Sequence, residues 1–214
     1  VIFPAIAEKI AHVLDAYAEA ATAVTELVAR IPDDAWDRPA LGEWDLRALV
    51  GHTSRSFVTV LTYLGRPAER EDVPDPEGYY ALLPSMTGEG FDQAAVAQRG
   101  RDAGAALGDD PAGAFRDLAD RAVAAARAAD PDALIETIAG GLRVASYVPT
   151  RTVELVVHGH DIAAATGLDV TFSEGTTAGV AALLARTGVR LGHGPAIIHA
   201  LTGRAPLPAG FSVV

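Results

Sequence analysis

The chain of 214 residues is 50% hydrophobic and 21% charged, enough to bury a core of its own, which excludes a disordered segment and a small disulfide-stapled scaffold. Its 17 basic and 28 acidic residues give a formal charge of -11, a field that repels a phosphate backbone, so no nucleic-acid partner is expected. With no cysteine, disulfides, thiolate metal sites and a cysteine nucleophile are ruled out, and any thiol chemistry needs a thiol from outside.

In chain order, Ile6, Ile10, Val13, Tyr17, Val24 and Val28 recur close to helical spacing and predict a first helix over Phe3–Arg30. Pro32 closes it, and Asp33, Asp34, Pro39 and Gly42 favour turns as far as Glu43. Asp45 caps a second helix that runs to about Leu64. Prolines and glycines between Gly65 and Gly90 predict a long crossover or flap. Two alanine-rich helices are expected over Phe91–Leu107 and Pro111–Ala129, the second opened by its proline. The run Asp132–Tyr147 reads as a short strand pair or a loop. Pro149 is expected to start a helix that Gly167 ends, Ser173 caps another reaching Leu191, and the tail reads as irregular or briefly extended. No apolar run approaches the roughly 20 residues of a bilayer span, and Val1–Ala7 lacks the basic flank of a signal peptide, so a soluble cytoplasmic protein without a membrane partner is expected. The pattern is all-α: a four-helix bundle with one long crossover over 1–167, then a short C-terminal appendage over 168–214, a helix and an irregular tail packed on the bundle.

The stretch Arg151-Thr-Val-Glu154-Leu-Val-Val-His158-Gly-His160-Asp161 carries the most chemistry. On a helical wheel Arg151, Glu154, His158 and Asp161 share an arc of roughly 80°, while Val153, Val156, Val157 and Ile162 cover much of the rest. Polar groups on a largely apolar helix are costly to bury unless they pair or bind a metal. Glu154 and His158, four residues apart, can grip one ion, though the same spacing also suits a surface ion pair or a hydrogen-bonded core histidine. His160 lies about 180° from Arg151 and cannot join them on a regular helix. The best third ligand is His52, whose neighbours along the second helix are the small or short Asp45, Ala48, Ser56 and Thr59; the alternative is a histidine satisfied by a carbonyl or water. Asp161 can orient a ligand imidazole, and Arg151 either clamps a substrate carboxylate or pairs with Glu154. Trp44 and Tyr147 line the cavity or belong to the core. His12 is expected to be solvated, His193 to lie in a loop and His199 to be partly buried.

Two segments, Trp44-Asp45-Leu46-Arg47-Ala48-Leu49-Val50-Gly51-His52 and Arg151 to Ile162, resemble the paired signatures of the mycothiol-dependent maleylpyruvate isomerase family, part of the DinB-like (YfiT-like) metalloenzyme superfamily. The resemblance runs from the first helix to about Gly167. It implies a four-helix bundle holding one divalent metal, typically zinc, through His52, Glu154 and His158, with mycothiol as thiol cosubstrate. His160 departs from the tryptophan of many relatives, and the stretch after Gly167 is shorter than the C-terminal domain of the full isomerases.

Two neutral imidazoles and one carboxylate leave zinc with a net charge of about +1 and an open position, as in catalytic sites. A low-molecular-weight thiol can lose its proton there and attack an electrophilic small molecule. Addition and departure across a conjugated double bond gives cis–trans isomerisation; displacement of a leaving group gives a thioether. The expected function is therefore a metal-dependent mycothiol S-transferase or an isomerase, acting as monomer or homodimer, with Arg151 and Asp161 as the candidate catalytic residues. The alternatives are a metal-dependent hydrolase, a non-haem iron enzyme, or a non-catalytic metal- or ligand-binding bundle.

Overall fold

The computed structural model describes residues 2–83 and 93–214, with side chains over 11–83 and 94–214. The elements are α1 (Ile2–Val28), a single 3-10 turn (Asp33–Ala35), β1 (Pro39–Leu41), β2 (Trp44–Asp45), α2 (Leu46–Tyr63), α3 (Pro76–Leu82), α4 (Gln93–Ala106), α5 (Pro111–Ala128), β3 (Leu134–Thr137), β4 (Gly140–Arg143), α6 (Val144–Thr166), α7 (Glu174–Arg190) and α8 (Gly194–Leu201). The fold is an all-α bundle. Helices α1, α2, α5 and α6 form its core: α1 packs on α5 and α6, and α2 packs on the same two. Tyr17, Val24, Leu27, Leu49, Phe57, Phe115, Leu155 and Ile162 are solvent-free at its centre. Their burial supplies the largest favourable contribution to folding.

Local chemistry sets most helix ends. The Asp45 carboxylate accepts the Ala48 backbone N–H at 2.7 Å, satisfying a first-turn donor that α2 itself cannot. Asp75, Asp110 and Ser173 do the same for α3, α5 and α7. Gly167, at φ +70°, ends α6 in the left-handed region. Helix α4 lies along α2, and the two approach so closely at Gly51 and Gly104 that a Cβ on either glycine would collide with the opposite backbone.

The structure corrects several sequence expectations. Helix α6 starts at Val144, five residues before Pro149, which sits inside it. The antiparallel β3–β4 hairpin feeds directly into the helix, and the carbonyls of Ala133 and Pro131 accept the N–H groups of Val144 and Ala145 at 3.0 and 2.9 Å. The first turn is thus capped by chain carbonyls, without a side-chain cap. The crossover contains helix α3, the turn region before α2 forms the small β1–β2 hairpin, and the tail begins with helix α8. His199 is exposed rather than partly buried, whereas His193 does lie in the loop just before α8, with its ring 5.3 Å from Phe211. The crossover residues 84–90, the expected helix start at Phe91 and the side chains of Ile6 and Ile10 lie outside the described residues.

Helix α7 packs on α1, α3 and α6. Glu19 of α1 accepts the Ser173 N–H at 2.5 Å and its hydroxyl at 2.6 Å, and also the Thr176 hydroxyl. Arg186 and Arg190 pair with Glu77 and Asp75, tying α3 to α7. Among the described residues no helix is long and apolar enough to cross a membrane.

Candidate metal centre

Neighbouring helices α2 and α6 bring together side chains that are a hundred residues apart in sequence. One ligand-type atom from each of His52, Glu154 and His158 lies within 4.8 Å of the others. The His52 and His158 rings meet edge-on, with centroids 4.8 Å apart. Glu154 Oε2 lies 3.5 Å from His158 Nε2, and the opposite ring nitrogen of His158, Nδ1, is 3.0 Å from Asp161 Oδ2. The arc read from the sequence therefore appears as one continuous polar stripe on α6. Trp44 lies tilted against His52 at 4.6 Å, and its indole N–H donates to the Ala97 carbonyl of α4 at 3.0 Å.

At the other end of the stripe, Arg151 is buried, with its guanidinium 5.3 Å from the Tyr79 ring centre and 5.0 Å from that of Tyr147. Its Nη2 lies 4.0 Å from Glu154 Oε1, and its Nε donates to the Thr150 hydroxyl at 3.0 Å. Tyr80 Oη lies 3.0 Å from Glu154 Oε1 and 2.8 Å from the Thr150 carbonyl. Sequence reading missed Tyr79 and Tyr80. Their only signal is an aromatic doublet within a proline- and glycine-rich crossover. His160 lies on the far side of α6, against Phe172 at 5.3 Å.

Burial and neighbouring charge set the protonation of these groups. Burial, reinforced by the His158 charge, lowers the His52 pKa to about 4, so this imidazole is neutral near pH 7. Burial would also depress His158, but Asp161 and Glu154 outweigh it and raise that pKa to about 9. Burial opposes the charge of Glu154, yet the His158 hydrogen bond and the Arg151 charge hold its pKa at about 2. Burial pushes the Tyr80 phenol well up, so its proton stays on oxygen as a donor.

A metal ion fits this donor set. His52 Nδ1 is buried with no hydrogen-bond partner among the described residues. Satisfied histidines normally pair both nitrogens, and ligating ones usually donate the second N–H to a carboxylate, as His158 is placed to do. Two nitrogens and one carboxylate oxygen suit zinc and related divalent ions.

A cavity of about 650 Å³ borders the opposite face of α6, walled by Pro149, Thr152 and Val153 together with Val13 of α1 and Val180 and Leu183 of α7. At 100° per residue these α6 positions lie across the helix from Glu154 and His158, so cavity and cluster occupy different faces.

A family model described as the mycothiol maleylpyruvate isomerase N-terminal domain matches residues 17–163. The chain belongs to that family. The match to the mycothiol maleylpyruvate isomerase N-terminal domain takes in α2, α6 as far as Ala163 and every residue of the cluster. No curated protein and no solved structure matches the chain.

Proposed function

We propose that the protein is a divalent-metal enzyme, with zinc as the metal, that uses mycothiol or a similar low-molecular-weight thiol to attack an electrophilic small molecule. The observation that carries this reading is the convergence of His52, Glu154 and His158 from two helices, with a buried His52 nitrogen left unpaired among the described residues. When bound, the ion lowers the pKa of a thiol that reaches it, so the thiol reacts as thiolate.

The chain's own residues prepare the site. His52, neutral at working pH, presents a lone pair without first losing a proton. Asp161 accepts the Nδ1–H of His158 and turns the opposite nitrogen toward Glu154. The 4.0 Å approach to Glu154 and the two flanking tyrosines support Arg151 as partner of that carboxylate rather than as a clamp for substrate. Charge arithmetic supports the thiol. Without metal, Glu154 and Asp161 balance Arg151 and protonated His158; exchanging that proton for a divalent ion leaves +1, which one thiolate cancels.

The test is metal analysis of protein purified without added metal, followed by incubation with mycothiol and a panel of electrophiles, conjugated alkenes and alkylating agents included. Near-stoichiometric zinc and many product molecules per chain are expected. Oxygen consumption without thiol dependence, water-dependent cleavage without thiol, or stoichiometric capture with no product would each overturn the proposal.

A further inference from the structure

We propose that Tyr80, reaching the centre from the crossover helix α3, is a positioning residue that makes Glu154 a one-oxygen ligand; the inference rests on the metal reading above. The two carboxylate oxygens have different company. Oε1 receives the Tyr80 hydroxyl at 3.0 Å and faces the Arg151 guanidinium at 4.0 Å. Oε2 has neither, and lies 3.5 Å from His158 Nε2, on the side where the two imidazoles meet. Binding through both oxygens requires Oε1 to turn toward the imidazoles and leave its donor.

Tyr80 cannot follow. Its side chain is buried at 2% exposure, and its single hydroxyl proton is shared between Oε1 and the Thr150 carbonyl, 2.8 Å away and one turn before Glu154 on α6. Helix α3 is itself held from outside the bundle by the Glu77–Arg186 and Asp75–Arg190 pairs to α7. Breaking a charge-assisted hydrogen bond in a buried setting opposes the rotation. The consequence is chemical: with one oxygen and two nitrogens from the protein, a coordination position stays free for sulfur, whereas a second carboxylate oxygen would compete for it.

Tyr80→Phe keeps the ring and removes only the hydroxyl. Metal-free wild type and variant are titrated with cobalt(II), whose visible absorption is intense in four-coordinate sites and weak at higher coordination. Wild type is expected to give the intense spectrum. The variant is expected to bind about 10–100-fold more weakly, as for other outer partners of metal ligands, with a weaker spectrum and unchanged far-ultraviolet circular dichroism. Unchanged affinity and spectrum overturn the proposal, and so does weaker binding with an unchanged spectrum, which marks a merely structural tyrosine. X-ray absorption on zinc-loaded wild type counts ligands independently of the variant's folding: one carboxylate oxygen supports the proposal and two overturn it. Wild type that takes up neither metal overturns the metal reading itself, an outcome distinct from a bound ion with both carboxylate oxygens.

Discussion

The two imidazoles of the cluster titrate in opposite directions, His52 down to about 4 and His158 up to about 9, because only His158 has carboxylates on both sides. A divalent ion held by the cluster would therefore have to displace the His158 proton at any pH below about 9. Apparent metal affinity should climb roughly tenfold per pH unit from 6.5 toward that value and then level, with about one proton released per ion near neutrality. Calorimetry in buffers of different ionisation enthalpy measures both; affinity flat across the window would contradict the assignment. In metal-free protein the same raised pKa contributes stability that is complete below 6.5 and lost as pH rises through about 9, so the metal-free melting temperature should fall across that interval. Asp161→Asn removes one of the two carboxylates that stabilise the imidazolium, and the affinity plateau should move down toward pH 6.5. His52→Ala should abolish metal uptake and activity while circular dichroism keeps its helical signal; retained stoichiometric zinc would show that the ligand set is different.

At the level of the element, what could be read in the sequence is what is local in the chain. Asp45, Pro111, Gly167 and Ser173 mark helix ends because each acts on the backbone within a few residues, and the polar arc on α6 follows from helical spacing alone. What could not be read depends on distant partners. The first turn of α6 is satisfied by carbonyls of Ala133 and Pro131, which leave no capping side chain to recognise. Tyr80 meets Glu154 across 74 positions, and Gly51 is required by the backbone of α4. The same logic applies to α7, whose N-terminus is held by Glu19, 154 residues away. Glu19→Ala leaves the Ser173 N–H without its carboxylate partner and should cost about 1 kcal/mol, as for other lost helix caps, read as a lower urea midpoint. Hydrogen bonds from Ser173 and Thr176 hold the Glu19 pKa below its usual value despite some burial, so this contribution is present above pH 4.5 and fades as pH falls through the lowered folded pKa. An unchanged midpoint would mean that solvent replaces the carboxylate without loss.

Across the whole molecule, a bound ion would act as a cross-link between α2 and α6, adjacent helices whose candidate ligands His52 and Glu154 are 102 positions apart. The unfolded chain cannot hold His52 beside the distant Glu154 and His158 pair, so an ion would bind the native state almost alone and its binding free energy would add to stability. Free zinc at 100 times its dissociation constant should stabilise the fold by about 2.7 kcal/mol, and by more as its concentration rises. Chelation with EDTA should lower the melting temperature, and zinc should restore it in a concentration-dependent way. The imidazole-rich donor set predicts that magnesium, which prefers oxygen ligands, restores little. His52→Ala separates specific binding from general attraction of cations to a chain of net charge -11: its melting temperature should ignore zinc, whereas a nonspecific effect would persist in the variant and extend to magnesium. Equal shifts in both proteins, or with both ions, would place the stabilising cation on the acidic surface instead of between the helices.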